Sequence, residues 1–294
     1  MHIFTEKGRY NYSLRKYGKV EYMKKYISIL LVVSIFVSLC TCAYAQETED
    51  LIFTPDIVME RLEEGDDLAQ TVEEQIVNGI YRLVEMLGTA AAIRSTDEEC
   101  AYVNACLDQI YSGDDQGLGN HQKLAVGAVQ VFDLLELIAE QEDPSVKYQS
   151  NRDSLREYFN DGDDEAVTAD QQTVNALYSA AQMAALILEE ISPTEEMIAS
   201  IEDELEAFSR DNDVCEDIND QIVNGAYWLH RMLAALVTLI SPSDDYSERV
   251  MELSKANTED ANNQTDRDCE LVIWLYTCVQ MADLFAEELL AEAE

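Results

Sequence analysis

Apolar residues after position 54 recur at the spacing of an α-helix, and no stretch alternates at the two-residue period of a strand. In residues 193–208, Met197, Ile201 and Leu205 fall on one face and acidic residues take the other, which predicts a short amphipathic helix. Residues 221–240 are apolar nearly all round, which predicts a longer helix that is buried on several sides. The pattern therefore predicts an all-α chain in which short and long helices alternate.

This pattern repeats every 49 residues. The repeat is carried by three sets of equally spaced residues: Tyr178, Tyr227 and Tyr276; Met183, Met232 and Met281; Pro144, Pro193 and Pro242. The segment Gln-Ile-Val-Asn-Gly-Ile-Tyr at 75–81 also returns at 221–227 with a single change. Self-similarity at a fixed period of this length is typical of stacked supersecondary units.

Each predicted unit opens with a helix-capping signal. The five openings are Thr54-Pro55, Ser95-Thr96, Asp143-Pro144, Ser192-Pro193 and Ser241-Pro242, and they place the units at about 54–94, 95–142, 143–191, 192–240 and 241–294. The long helices are predicted near 72–93, 121–141, 171–191, 221–240 and 269–290. Capping-box spacing precedes two of them, at Thr71/Glu74 and Thr168/Gln171.

The predicted architecture is five tandem helix–loop–helix units of about 49 residues, stacked as an α-solenoid, with a closed helical bundle as the alternative. The long helices are expected inside and the short helices outside. The helix pairs resemble tetratricopeptide-type solenoids only in outline. Those units repeat every 34 residues or so and carry a small-residue pattern that is absent here, so nothing is transferred from them.

The first 45 residues are interpreted as an N-terminal extension followed by a signal peptide. Lys24 and Lys25 precede an apolar run, and Ala43-Tyr44-Ala45 supplies a small-x-small cleavage site. We expect cleavage after Ala45, an exported protein (periplasmic or extracellular), and no membrane span in the mature single-domain chain 46–294. Met23 is the expected start, and a lipoprotein anchored at Cys40 or Cys42 is the less favoured alternative.

The expected mature chain is strongly acidic. Cleavage would leave 12 basic against 57 acidic side chains, a formal net charge of −45. This charge disfavours nucleic acid and anionic membranes and suits basic proteins, peptides or cations as partners. Five cysteines would remain, at positions 100, 106, 215, 269 and 278, and their spacing matches no zinc or thioredoxin pattern. Free cysteines are the simpler interpretation, and one or two disulfides are the alternative.

Acidic clusters recur where each short helix gives way to its long helix. A weak Ca²⁺ site is conceivable there, because carboxylates on flexible loops suit a cation that takes six to eight oxygens. Its candidate ligands are Asp66, Asp67, Asp114, Asp115, Asp163, Asp164, Asp211 and Asp213. The favoured interpretation is structural: acids before a helix N-terminus complement the helix dipole, and glycine makes the turn. No other cofactor is indicated.

A polar row follows the long helices, because residues at i, i+3 and i+7 share a face. The sets are Asn78, Tyr81 and Glu85; Asn175, Tyr178 and Gln182; Asn224, Tyr227 and Arg231; and Ile273, Tyr276 and Gln280, with Lys123, Val126 and Gln130 assigned to unit two. The row is interpreted first as a hydrogen-bonded ladder between neighbouring helices, in which an asparagine can pair with its own copy. A ligand groove is the alternative.

No catalytic motif is recognisable. His121 and His230 lie in different units at different repeat positions, and Trp228 and Trp274 are most simply core residues. The unusual residues recur along the array rather than concentrate in one place, which favours a non-enzymatic binding or scaffold module of the envelope or extracellular space over an enzyme with one focused pocket. The alternatives are an all-α hydrolase that uses carboxylates and a divalent-cation-binding envelope protein.

Overall fold

The computed structural model describes residues 52–142, 146–192, 194–240 and 244–293. The predicted extension and signal peptide, with its cleavage site at Ala45, lie outside these residues. The predicted openings at Asp143-Pro144 and Ser241-Pro242 also lie outside them, as do the side chains of Asp114 and Asp115.

The described residues are all-α, as predicted. The ten helices found there are α1 (Pro55–Leu68), α2 (Val72–Ala92), α3 (Asp97–Asp115), α4 (Asn120–Glu142), α5 (Val146–Glu165), α6 (Ala169–Ile191), α7 (Glu195–Asp213), α8 (Ile218–Ile240), α9 (Asp244–Asn262) and α10 (Arg267–Ala293). They form five consecutive pairs. The second helix of each pair, α2, α4, α6, α8 or α10, begins and ends close to the position that apolar periodicity predicts.

The first helix of each pair is longer than predicted. The acidic stretch beginning at Asp211 was expected to be a loop, but α7 continues to Asp213, and only four residues separate it from α8. Gly65-Asp66-Asp67 likewise lies in the last turns of α1. The acids therefore sit at the C-terminal ends of the first helices, where the dipole does not favour them. Their interaction with the dipole of the following second helix stays a prediction.

Two of the predicted long-helix caps are confirmed. The Thr71 side chain accepts a hydrogen bond from the Glu74 backbone N–H, and Thr168 with Gln171 forms a complete capping box. Ser192, by contrast, does not open α7. Thr194 caps that helix by accepting from the Met197 N–H, while the Ser192 hydroxyl donates to the Leu188 carbonyl at the end of α6. The unit therefore begins two residues later than predicted.

The second helices pack side by side and form the inner layer. Helix α2 contacts α4, α4 contacts α6, α6 contacts α8, and α8 contacts α10. Helix α10 also packs extensively against α2, so the last unit contacts the first. The first helices pack against second helices. The solenoid and the closed bundle are built from the same helix pairs, and the choice between them stays a prediction.

Glycines let the inner helices approach closely. A Cβ atom on Gly225 of α8 would lie 2.9 Å from the Tyr178 ring and 3.0 Å from the Leu177 side chain of α6. Gly79 of α2 faces Leu275 and Tyr276 of α10 in the same way. At both junctions, the glycine of one inner helix contacts the tyrosine, and the residue before it, of the inner helix in the neighbouring unit. The inner helices therefore pack with the same register at both junctions. Their N-terminal ends, and the turns that precede them, therefore lie at one end of the domain.

The same contact corrects the alignment of unit two. A Cβ on Gly127 would lie 2.7 Å from Ile80, the residue before Tyr81, so Gly127 is equivalent to Gly79 and Gly225. The polar row of unit two is therefore Val126, Val129 and Asp133. The assignment to Lys123, Val126 and Gln130 was three residues out of register, because this unit lacks the marker tyrosine.

Apolar residues of the inner helices fill the core, including Leu83, Phe132, Leu177, Leu233 and Leu275, each at most 1 % exposed. Within the described residues one segment, Arg267–Ala291 of α10, is long and apolar enough to cross a membrane by length and composition alone. Of its apolar window, 61 % is buried inside the domain, and a core helix of a soluble protein passes the same test.

The five cysteines after position 45 are all free thiols. Cys106 and Cys278 are buried, and the other three are half-buried. Burial raises the pKa of the Cys106 thiol to about 12, with the Asp133 carboxylate adding to the effect. These two buried thiols behave as small core residues rather than as nucleophiles.

Candidate functional site

A tyrosine hydroxyl links the last unit to the first. The Tyr276 hydroxyl of α10 donates to Asp66 Oδ1 at the end of α1 (3.0 Å) and accepts from Asn78 Nδ2 of α2 (3.2 Å). Gln75 Nε2 donates to the same Asp66 oxygen (2.6 Å). Four side chains from both units thus form one network, which fixes the register of α10 on α2.

The junction between units three and four has the same network. The Tyr178 hydroxyl of α6 donates to Asn212 Oδ1 (2.6 Å) and accepts from Asn224 Nδ2 (3.3 Å). Gln221 Nε2 also reaches Asn212 Oδ1 at 3.5 Å. The repeated segment at 75–81 and 221–227 supplies the glutamine, the asparagine and the glycine that receive a tyrosine of the neighbouring unit. The asparagine's partner is thus a tyrosine, and not its own copy as expected.

In two of the Gly-Asp-Asp clusters, the glycine makes room for an asparagine of the second helix. Asn78 Nδ2 donates to the Leu62 carbonyl of α1, and Asn175 Nδ2 donates to the Phe159 carbonyl of α5, both at 2.9 Å. A Cβ on Gly65 would lie 2.2 Å from the Asn78 amide oxygen, and one on Gly162 would lie 2.2 Å from that of Asn175. Glycine is needed here because the asparagine side chain of the second helix lies against the backbone of the first helix, and not because the chain turns at this point.

We expect Asn78→Ala to lower the free energy of unfolding by about 1–3 kcal/mol, because it removes donors to the Leu62 carbonyl and to the Tyr276 hydroxyl at once. Urea unfolding would measure the loss. Asn219→Ala is a matched control, since Asn219 is an exposed asparagine in the first turn of α8. Equal stability of the Asn78 variant and the wild type would contradict a structural role.

The remaining junctions depart from this network. At the junction of units four and five, Trp274 takes the glycine position and meets the Tyr227 ring edge-on at 5.0 Å, while Arg231 Nη1 donates to the Tyr227 hydroxyl. Tyr81 is buried at the first junction. At the junction of units two and three, Val129 stands in the tyrosine position, and Asp163 Oδ1 is buried without a hydrogen-bond partner among the described residues.

The third residue of most sets in the polar row, such as Arg231, Gln280 or Asp133, contacts a first helix. Arg231 forms an ion pair with Glu204 of α7 (2.6 Å), and Asn257 of α9 donates to Gln280 (3.1 Å). Asp133 pairs with Arg156 of α5 (2.8 Å). Gln182 is half-buried. These side chains tie second helices to first helices.

Glu85 is the buried centre of a charge cluster that joins α1, α2 and α3. Its side chain is fully buried, and its two oxygens pair with Arg61 of α1 and Arg82 of α2, each at 3.0 Å. The Tyr111 hydroxyl of α3 also donates to it. The Arg61 guanidinium lies 4.5 Å from the centre of the Phe53 ring. The cluster neutralises a carboxylate that could not otherwise be buried.

The candidate calcium ligands do not converge. Asp66 is engaged with Tyr276 and Gln75, and Asp211 accepts from the Trp228 indole at 3.2 Å. Asp67, Asp164 and Asp213 are exposed. No three His, Cys, Asp or Glu side chains in the described part of the chain lie close enough to hold one metal ion. The calcium hypothesis therefore stays a prediction, and Asp114 and Asp115 fall outside its geometric test.

His230 is a core residue. It is 3 % exposed, stacks on Trp274 at 4.8 Å, and its Nδ1 lies 2.6 Å from the Tyr227 carbonyl. Burial lowers its pKa to about 4, so the ring is neutral at physiological pH. His121 is exposed and pairs with Asp170 at 2.7 Å. The two histidines do not share a site.

Burial raises the pKa of Glu189 to about 7, and repulsion by Glu202 adds to the shift. Because the folded state then binds this proton more tightly than the unfolded state, whose pKa is near 4.5, the group's contribution to stability rises as pH falls from about 7 towards 4.5. Asp283, raised to about 6 by burial, acts in the same direction. His230 acts in the opposite direction below pH 6.5.

We therefore expect Glu189→Gln to be more stable than the wild type at about pH 8 and to lose that advantage at about pH 5. Lowering the pH also weakens the repulsion among the other carboxylates, but it does so in both proteins. The difference between the variant and the wild type therefore reports on Glu189 alone. Urea unfolding at both pH values measures the difference. If the difference in unfolding free energy between the variant and the wild type were the same at both pH values, the pKa of Glu189 would not be raised in the folded state.

A cavity of about 250 Å³ opens at the junction of units three and four. It is lined by four amide and two phenol side chains, together with two aliphatic ones: Gln171, Asn175, Asn212 and Gln221; Tyr158 and Tyr178; Val174 and Ile218. No carboxylate is among the residues that line it. Sequence reasoning named Asn175 and Tyr178 as site residues and Gln171 as part of a helix cap. It missed the cavity because Tyr158, Asn212, Ile218 and Gln221 come from three further helices.

No protein-family model, no curated protein and no solved structure matches this chain.

Proposed function

We propose that this chain is an exported, non-enzymatic binding module whose acidic end binds a basic protein or peptide. The proposal follows from how its polar residues are used. The recurring asparagines and tyrosines are largely engaged in contacts within and between units. The exposed features that still recur from unit to unit are acidic side chains.

The carrying observation is the surface at the turns between first and second helices, which we term the acidic rim. Its exposed acids include Glu63, Glu64, Asp67, Asp161, Asp164, Glu165, Asp211, Asp213, Glu259 and Asp260. Three apolar side chains stand among them: Leu68 is 78 % exposed, Val167 87 % and Val214 75 %. Exposed apolar residues surrounded by one sign of charge suit a partner that is both basic and amphipathic.

The test is calorimetric titration of the full chain with two synthetic peptides of equal charge, one alternating lysine with leucine and the other lysine with serine. We expect saturable binding of the lysine–leucine peptide, at least tenfold tighter than that of the other. The triple variant Leu68→Ser, Val167→Ser, Val214→Ser should bind both peptides equally. Equal affinity for the two peptides in the wild type would reduce the rim to a nonspecific polyanion and overturn the proposal.

A further inference from the structure

The cavity between units three and four departs from the repeat. Two of the four polar positions of the junction network carry an acid in other units. Asp66 replaces Asn212 at the junction of units five and one, and Glu270 replaces Gln221 at the junction of units four and five. Only the junction of units three and four combines neutral amides and phenols at all of these positions. In a chain with a formal charge of −40, an uncharged polar cavity is a local specialisation.

Three amides at this cavity retain hydrogen-bonding capacity. Gln171 uses its Oε1 to accept from the Val167 and Thr168 backbone, which leaves its Nε2 group to donate. Asn212 Oδ1 accepts from Tyr178 and Gln221, which leaves the Asn212 Nδ2 group to donate and the Gln221 Oε1 atom to accept. None of these three groups has a hydrogen-bond partner among the described residues.

Tyr158 supplies the aromatic wall. It is 58 % exposed on α5, and its hydroxyl has no hydrogen-bond partner in the described part of the chain. An exposed aromatic ring beside amides offers an apolar face next to both donors and acceptors. The Tyr178 hydroxyl is held by Asn212 and Asn224, so the back of the cavity is rigid.

We propose that this cavity binds one ring of a neutral saccharide. Sugar hydroxyls both donate and accept, which matches the mixed set of amide groups, and the C–H face of a sugar ring can cover Tyr158. The volume of about 250 Å³ suits a single ring rather than a large ligand. The exposed Asp211 and Asp213 nearby disfavour an anionic sugar. The cavity adjoins the acidic rim, but the proposal does not depend on the binding of a basic partner.

Saturation-transfer difference NMR of the full chain with methyl glycosides of glucose, galactose, mannose and N-acetylglucosamine tests the proposal, with glucuronate as the anionic probe. We expect at least one neutral glycoside to bind at millimolar concentration and glucuronate to bind at least tenfold more weakly. Tyr158→Ala and Gln221→Ala should each weaken the neutral glycoside at least tenfold. Tyr102→Ala removes another exposed tyrosine, on α3, and should change nothing.

Circular dichroism melting would confirm that the variants are folded. Tyr158→Ala loses no hydrogen bond, so its fold should be intact and its binding defect interpretable. Absence of binding by every neutral glycoside would overturn the proposal. Binding that survives both cavity substitutions, or a preference for glucuronate, would also overturn it. The peptide titration uses neither probe, so the two proposals fail independently.

Discussion

Glu85→Gln is expected to destabilise the protein by about 3–5 kcal/mol, which is a large part of the stability of an ordinary domain. The side chain is fully buried between α1, α2 and α3, and it neutralises Arg82, whose side chain is only 10 % exposed. Removing the carboxylate charge leaves that guanidinium in a low-dielectric site without the buried charge that Glu85 supplies. Urea unfolding of the variant measures the cost.

Glutamine fits this position sterically, because Gln182 and Gln280 occupy it in units three and five. A loss of stability in Glu85→Gln would therefore arise from charge and not from shape. The double variant Glu85→Gln, Arg82→Met removes both buried charges and should recover most of the loss, since Arg61 is one-third exposed and can be hydrated. If the double variant were as unstable as the single one, the ion pair would not be the cause.

The helices were predictable because apolar residues carry a strong 3.6-residue period, and the caps at Thr71 and Thr168 because capping is local chemistry. The helical conformation of Gly65-Asp66-Asp67 and Asp211-Asn212-Asp213, at the ends of α1 and α7, was not predictable. Glycine and aspartate are poor helix formers, so the local signal indicates a loop. Packing of Asn78 against Gly65 overrides that preference, and this contact joins residues of two helices.

The candidate site was only partly predictable for the same reason. The polar row of Asn78, Tyr81 and their equivalents is visible in one helix, but the hydrogen-bond partners of Tyr178 and Tyr276 belong to the next unit. Periodicity in the sequence identifies the recurring polar positions, but it does not identify the residues of the neighbouring unit that they contact. Unit two was misaligned because Val129 stands where the other units have tyrosine. The cavity was missed because its lining comes from four helices.

Gly79→Leu is expected to cost about 3 kcal/mol, at the upper end of the usual cost of overpacking. The reason is contact with the last unit: a Cβ on Gly79 would lie 3.0 Å from the Tyr276 ring and 3.1 Å from Leu275. Gly225→Leu, which meets Tyr178 and Leu177 at an internal junction, should cost a similar amount. Urea unfolding of both variants gives the comparison.

The comparison separates a closed bundle from an open solenoid in solution. In an open stack Gly79 would face solvent at the end of the array, and a leucine there would cost little, whereas Gly225 would be buried in either case. Gly119→Leu is the control. It directly precedes α4, where a Cβ would meet only the Gln122 side chain at 3.9 Å, and its effect should stay within about 1 kcal/mol. If Gly79→Leu behaves like Gly119→Leu, the first and last units are apart in solution. If it behaves like Gly225→Leu, the fifth junction has the same strength as an internal one.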